Sequence, residues 1–247
     1  MTDPTTLIII FVTFLIAGSV KGVIGLGLPS VSLALLTATL GLPQAMALLL
    51  VPSFVTNLWQ AVVGGNGLPV LKRLWPFLIM ATVTVWIGAT ALTRVDLALL
   101  SALLGVLLVS YSALSLLKVR IAIAPRYEAW AGPVFGTMNG VLTGMTGSFV
   151  VPGVMFLQAI GLPRDMFIQA MGMLFTVSTV ALAVALKGND LLSADLGILS
   201  AAGVVPAVIG MVVGQRVRKR LSEERFRQVF FIALLAMGLY IIARAAL

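Results

Sequence analysis

The sequence of 247 residues contains no cysteine, no histidine and only eight acidic residues. Without cysteine and histidine, the chain has no thiolate nucleophile and no imidazole base, and it lacks most ligands of transition metals. No disulfide can form, so the cysteine count indicates nothing about the redox compartment. With no nucleophile–base pair visible, we expect no catalytic residues, no metal site, no cofactor and no enzyme.

Charge of either sign is scarce: only 10% of the residues are charged, whereas 60% are hydrophobic and the mean hydropathy is +1.14. Soluble domains carry about 25% charged residues, and a chain of this size cannot bury so much apolar surface in one core. Lipid is therefore its solvent, and long apolar runs such as Met166–Leu186 and Phe226–Ala243 approach the ~20 residues of a spanning helix. We predict an all-α polytopic membrane protein, with residues 1–247 forming a single transmembrane domain.

The apolar residues form ten stretches separated by short polar or glycine-rich links. Before the first stretch the chain carries Asp3 and no positive charge, unlike a signal peptide, so we expect that stretch to be retained. The ten stretches are Leu7–Val20, Val23–Leu40, Gln44–Val63, Leu74–Leu92, Leu97–Leu117, Trp130–Thr143, Ser148–Ile160, Met166–Leu186, Leu196–Val213 and Phe226–Ala243.

Basic residues predict the orientation of these stretches. Twelve of the sixteen lysines and arginines lie in four links, Gly64–Arg73, Lys118–Ala129, Gly161–Asp165 and Gly214–Arg227. The positive-inside rule assigns these links to the cytoplasm and both termini to the outside. The net charge of +8 is thereby explained without a nucleic-acid partner. The Arg216–Arg227 loop is a topology determinant, with lipid headgroup binding as an alternative.

The same assignment turns two pairs of neighbouring stretches into hairpins. Leu7–Leu40 begins and ends outside, and Trp130–Ile160 begins and ends inside. Each arm has only ~14–18 residues, short for a full span, so the arms are thin crossings or half-helices. The total is then about 8–10 membrane segments.

The two halves of the chain resemble each other. Gly41–Pro43 matches Gly161–Pro163, and a threonine, Thr56 or Thr176, lies thirteen residues after each proline. Equivalent links fall on opposite sides by the charge count. This pattern indicates an inverted-topology repeat of residues 1–120 and 121–247, each a hairpin plus three transmembrane helices, as in secondary transporters. The alternative is that glycine-rich membrane helices resemble one another by composition alone.

Two glycine-rich segments interrupt the hairpins. We name them the first break, Gly22–Pro29, and the second break, Thr143–Pro152. Glycine and proline interrupt helices, and the freed N–H groups of a following helix attract anions. The alternative is that the glycines are close-packing contacts between helices.

Polar residues near the breaks are the candidates for substrate binding. Lys21 is the only cation in the gap between the two arms of a hairpin. Buried ionisable groups in membranes are usually functional, although a shallow lysine can also snorkel to the surface. Asn139 takes the equivalent place in the second half. The candidates also include serines and threonines, and the alternative for these is that the hydroxyl bonds its own helix. The predicted substrate-binding set is Lys21, Gly25, Gly27, Asn57, Asn139, Thr143, Thr146, Ser148 and Thr176.

These motifs resemble those of the TauE/SafE family of sulfite and organosulfonate exporters. The resemblance is carried by Lys21–Gly27 with Pro29, by Thr143–Pro152 and by Gly161–Pro163, and it extends over nearly the whole chain. Leu26 and Leu28 interrupt the run of glycines that many members have. Membership implies transport of small sulfur-containing anions across the bacterial inner membrane without a prosthetic group.

We therefore expect a secondary transporter that exports sulfite, a sulfonate or a similar anion by alternating access around a midplane site between the two hairpins. No acidic residue lies within an apolar stretch, so we expect the membrane potential to drive export. The expected partners are a small anion and the lipid bilayer. A homodimer with a second copy of the chain is left open. A channel-like facilitator and a membrane scaffold remain alternatives.

Overall fold

The computed structural model describes residues 3–119, 121–218 and 222–246, without the side chain of Glu223. Three residues of the charge count, Arg120, Lys219 and Arg220, lie outside this part. The described residues form thirteen α-helices, one 3₁₀ turn at Thr90–Thr93 and no strand, so the all-α class is confirmed. The helices are α1 Pro4–Ile24, α2 Leu28–Leu40, α3 Leu42–Leu48, α4 Leu50–Val62, α5 Gly67–Val83, α6 Val85–Ala89, α7 Leu97–Leu116, α8 Pro125–Thr146, α9 Gly153–Ala159, α10 Arg164–Gly188, α11 Ala194–Ala202, α12 Val204–Arg218 and α13 Glu223–Ala245.

Six segments of the described chain are long and apolar enough to cross a membrane, and a bent pair, α3 with α4, would be a seventh. The polytopic prediction is therefore confirmed. The arms α2 and α9 are shorter than a full span, and the seven residues of α9 extend only about 10 Å. The six segments are α1, Gly67–Thr93, α7, α10, Ala194–Arg218 and Glu224–Ala245.

Several helices extend further than the apolar stretches suggested. Helix α1 continues to Ile24, so Lys21 lies in its last turn rather than in a gap, and the first break narrows to Gly25–Gly27. Helix α5 begins at Gly67, so Lys72 and Arg73 are helical rather than part of a loop. In both places a glycine or a charged residue predicts a helix boundary, but the helix continues through it.

The stretch Gln44–Val63 was expected as one helix, but it bends by 44° between α3 and α4. Pro52 explains the bend, because a proline has no N–H to donate to the carbonyl of Leu48, four residues earlier. The hydroxyl of Ser200 donates to that carbonyl at 2.8 Å and accepts from the N–H of Val51 at 3.0 Å. A side chain of α11 therefore supplies hydrogen bonds at the bend between α3 and α4.

The described chain divides into two compact units. Unit 1 comprises Met1–Pro52, Val95–Val119 and Leu191–Leu247. Inside it, α1 packs along α12 through glycines: a Cβ on Gly18 would overlap the backbone of Ala207, and one on Gly214 would overlap that of Ser19. Small residues let membrane helices approach to backbone contact. This contact holds the end of α1, and with it Lys21, against α12.

Unit 2 comprises Ser53–Arg94 and Arg120–Asp190. Here α8 packs against α5 and α6, again through glycines. A Cβ on Gly136 would lie 2.5 Å from the carbonyl oxygen of Phe77, and one on Gly144 would overlap the carbonyl of Val85. The glycine stripe of α8 therefore positions the second break against α6.

Candidate functional site

The first break lies in unit 1 and is a single left-handed turn between two helices. Gly25 ends α1 with φ of 78° and its N–H donates to the carbonyl of Lys21 at 2.8 Å, and Gly27 precedes α2 with φ of 106°. Such φ values strain any residue with a Cβ. A Cβ on Gly27 would also meet Val20 at 2.9 Å and the ring of Phe230 at 3.3 Å, whereas the space beside Gly25 is open.

Lys21 lies in the last turn of α1, and only 5% of its surface is exposed. Among the described side chains it is the one charged group that is buried. Burying an ammonium group in a membrane protein is costly, which favours a functional interpretation. A snorkelling lysine would be exposed at its tip, so this burial disagrees with the alternative reading. One turn of chain separates Lys21 from Gly25, so the buried cation adjoins the first break.

The second break lies in unit 2 and occupies residues 147–152. Gly147 ends α8 with φ of 73°, and its N–H donates to the carbonyl of Thr143 at 2.7 Å. The hydroxyl of Thr143 donates to the carbonyl of Ser148 at 2.9 Å, and that of Thr146 donates to Leu142 at 2.7 Å. The structure thus brings Thr143, Thr146 and Ser148 together, but the hydroxyl protons of both threonines are used to build the break.

Asn139 bridges the second break. Its Oδ1 accepts from the N–H of Gly153, the first residue of α9, at 2.9 Å. Asn139 is fully buried, and its Nδ2 has no hydrogen-bond partner. A Cβ on Gly153 would meet Asn139 and Leu174 at 2.5 and 2.8 Å, so a larger residue there would displace the amide. The amide therefore holds α9 with one end and leaves a buried donor at the other.

Two further buried hydroxyls of unit 2, those of Ser53 and Ser178, have no hydrogen-bond partner. Ser178 follows Leu174 by one turn of α10, and Leu174 contacts the start of α9. Ser53 lies one turn before the fully buried Asn57 on α4. Buried polar groups are nearly always hydrogen-bonded, so each such group requires an explanation, and a transported ligand is one.

Thr176 does not join this set. It is half-buried, and its hydroxyl donates to the carbonyl of Gly172 in its own helix at 2.7 Å. This geometry matches the alternative in which threonine bonds its own helix.

Lys21 and Asn139, which the sequence match treats as equivalent, lie at different distances from the ends of their helices. Lys21 precedes the left-handed glycine of its helix by four residues, whereas Asn139 precedes Gly147 by eight. Thr143, not Asn139, therefore stands where Lys21 stands. The sequence match pairs Lys21 with Asn139, whereas the helix ends pair Lys21 with a residue one turn further along α8.

Three side chains have structural roles that the sequence does not predict. Ser200 completes the bend at Leu48, as described above. Gln60 donates to the carbonyl of Ile168 at 2.8 Å, and Gln169 donates to that of Ala61 at 2.7 Å while accepting from the N–H of Asn66. These two glutamines join α4 to α10. Glutamines within apolar stretches were a visible signal, but their partners lie more than 100 residues away.

The buried polar side chains supply hydrogen-bond donors rather than catalytic groups. The described residues contain no group of three or more His, Cys, Asp or Glu side chains that could hold a metal. Their buried polar side chains include Lys21, Asn139, Ser53 and Ser178, and no carboxylate. Ammonium, amide and hydroxyl groups all donate hydrogen bonds, which suits an anion.

Comparison with known families gives one match. The family described as sulfite exporter TauE/SafE matches residues 10–241, nearly the whole chain. No curated protein and no solved structure matches the sequence.

Proposed function

The chain belongs to the sulfite exporter TauE/SafE family, a family of membrane transporters rather than enzymes, and on this premise we propose that it exports sulfite, a sulfonate or a similar sulfur-containing anion across the bacterial inner membrane. The family match over residues 10–241 carries this proposal. The buried hydrogen-bond donors explain why such an anion suits these residues.

The buried donors support an anionic substrate. Lys21 in unit 1 provides a positive charge, and Asn139 in unit 2 provides an amide donor beside the second break. Sulfite and sulfonates present several oxygen acceptors, and charge-assisted hydrogen bonds to such oxygens are roughly twice as strong as neutral ones. The substrate-binding set of Lys21, Gly25, Gly27, Asn57, Asn139, Thr143, Thr146, Ser148 and Thr176 is kept as part of the proposal, with Lys21 and Asn139 as its main members.

Alternating access is the mechanism we propose, with residues 1–120 and 121–247 as inverted repeats. Two features support the repeat: α1 and α8 both end at a left-handed glycine, and each packs through a glycine stripe. In each case the packing partner comes from the other half of the chain, α12 for α1 and α5 with α6 for α8. Secondary transporters with inverted repeats move one bundle against another.

We propose that the membrane potential drives export. An anion that leaves an inside-negative cell gains about 2.3 kcal/mol per charge per 100 mV. Lys21 stabilises the anion on its way, and no proton has to accompany it.

The experiment is a flux assay with the purified protein in proteoliposomes. Sulfite, a small sulfonate and a carboxylate of similar size are each loaded, and efflux is measured while potassium and an ionophore set the potential. We expect saturable efflux of the sulfur anions, faster at an inside-negative potential and with counterflow. A flux that followed a pH gradient and ignored the potential would refute the energy coupling.

The two alternatives give different results in the same assay. A channel-like facilitator would show unsaturable flux and no counterflow. A membrane scaffold would show no flux of any anion above that of empty liposomes, and this result would refute the transport proposal as a whole.

A further inference from the structure

A small cavity lies in unit 1 where α7 ends and α13 begins. Its volume is about 120 Å³, and it is lined by Lys118, Glu224, Arg227, Gln228, Phe231 and Ile232 among others. A single water needs only ~10–15 Å³ of such volume. The cavity therefore has room for a phosphate group.

The mouth of the cavity is polar and positively charged. Lys118 and Arg227 contribute two positive charges, and Glu224 contributes one negative charge. Nζ of Lys118 donates to Glu224 at 2.9 Å, and both side chains are more than 60% exposed. An exposed ion pair of this kind contributes little stability, so Lys118 can turn to another acceptor at small cost. Arg227 is exposed and supplies a forked donor, which suits phosphate oxygens.

The wall of the cavity is apolar. The ring of Phe231 is buried and packs edge-on against Tyr111 with centroids 5.2 Å apart. Ile232 is 57% exposed and follows on α13, which is one of the candidate membrane spans. A cationic mouth at the end of a spanning helix, continued by an apolar surface, is complementary to a lipid headgroup and its chain.

We propose that this cavity binds the headgroup phosphate of an anionic phospholipid, with Lys118 and Arg227 on the phosphate and an acyl chain along Ile232. The basic links of the chain already predict that this end faces the cytoplasmic leaflet. The site also adjoins the first break, since Phe230 packs on Phe231 at 4.9 Å and lies against Gly27. A bound lipid would brace α13 where that helix supports the break.

The test uses the full chain in nanodiscs of phosphatidylcholine with or without phosphatidylglycerol. We expect phosphatidylglycerol to raise the melting temperature by about 5 °C. Arg227→Gln should weaken lipid retention in native mass spectrometry by roughly fivefold. The matched control is Arg225→Gln on the same helix, which removes the same charge from a residue outside the cavity lining. Its lipid retention should equal that of the wild type.

Three results would overturn the proposal. The first is no shift with phosphatidylglycerol, and the second is an equal loss in Arg225→Gln and Arg227→Gln, which would indicate attraction to the general surface charge. The third is an equal shift from inorganic phosphate added to phosphatidylcholine discs, which would indicate a free-anion site. If Arg227→Gln does not fold, Lys118→Gln serves as the second cavity variant, with the same expected loss. None of these readouts depends on sulfite transport.

Discussion

At the scale of single residues, Ser200 joins two segments that are distant in sequence. It donates to the carbonyl of Leu48 and accepts from the N–H of Val51, so one hydroxyl satisfies both groups that Pro52 displaces from helical bonding. Ser200 and Leu48 are fully buried or nearly so. In a membrane protein such backbone groups have no water to replace a lost partner.

We predict that Ser200→Ala destabilises the protein by about 1–3 kcal/mol, because it leaves a buried carbonyl and a backbone N–H without partners. Thermal unfolding in detergent measures the change. The control is Ser101→Ala, since the exposed Ser101 hydroxyl only donates to Leu97 within its own helix. Equal melting temperatures for the two variants would contradict the bridging role of Ser200.

At the scale of helices, glycines decide which elements meet. Gly136, Gly140 and Gly144 recur every four residues on α8 and face α5 and α6, where a Cβ at each position would overlap or crowd backbone or side-chain atoms. The break at residues 147–152 begins three residues after the last of them. The packing of α8 and the geometry of the second break are therefore coupled.

A larger residue in this stripe should separate the helices. Gly144→Ala would place a Cβ 2.5 Å from the backbone nitrogen of Ala89, so we expect a loss of about 1–3 kcal/mol and a lower melting temperature. The contrasting variant is Gly197→Ala on α11, which meets no atom within 4 Å and should be neutral or stabilising by about 0.5–1 kcal/mol. If both substitutions were equally tolerated, close packing at Gly144 would be disproved.

The sequence predicts the long spanning helices better than it predicts where helices end. Helices α7 and α10 match their apolar stretches within a few residues, because long apolar runs specify spanning helices directly. The all-α membrane class is confirmed for the same reason, and the family predicted from the glycine motifs is confirmed by the match over residues 10–241. Helix ends were less predictable, since Gly22 packs inside α1 whereas Gly25 ends it, and only the neighbouring α12 distinguishes the two.

The candidate site was predictable in part. Lys21 and Asn139 were found from their polarity in an apolar context, and both are buried. The bonds of Ser200 and Gln169 were not predictable, because both residues contact positions more than 100 residues away and no short-range pattern encodes such contacts. Whether the predicted set binds substrate stays a prediction.

At the scale of the whole chain, polar contacts agree with the charge count. Arg73 forms an ion pair with Glu128 at 2.5 Å and donates to the carbonyl of Ile160, and all three belong to segments expected inside. Arg244 donates to the carbonyl of Ala38, at the ends of two segments expected outside. Each contact therefore joins parts of the chain that the positive-inside rule assigns to one side.

The orientation itself can be tested by labelling, because the chain has no native cysteine. Thr93→Cys and Ala124→Cys each place one thiol at an exposed position, in links expected outside and inside respectively. A membrane-impermeant maleimide applied to intact cells should label the first variant and not the second. Labelling of Ala124→Cys alone would reverse the predicted orientation.

The most direct test of anion transport is the initial rate of sulfite efflux from proteoliposomes at one inside-negative potential, compared between Lys21→Met and Lys187→Met. Both lysines lie in the last turn of a long helix, but Lys21 is buried and Lys187 is exposed. We predict a rate about tenfold or more below wild type for Lys21→Met, because a charge-assisted interaction with the anion is lost, and a wild-type rate for Lys187→Met. A folded Lys21→Met protein that exports sulfite at the wild-type rate would contradict the role of the buried cation.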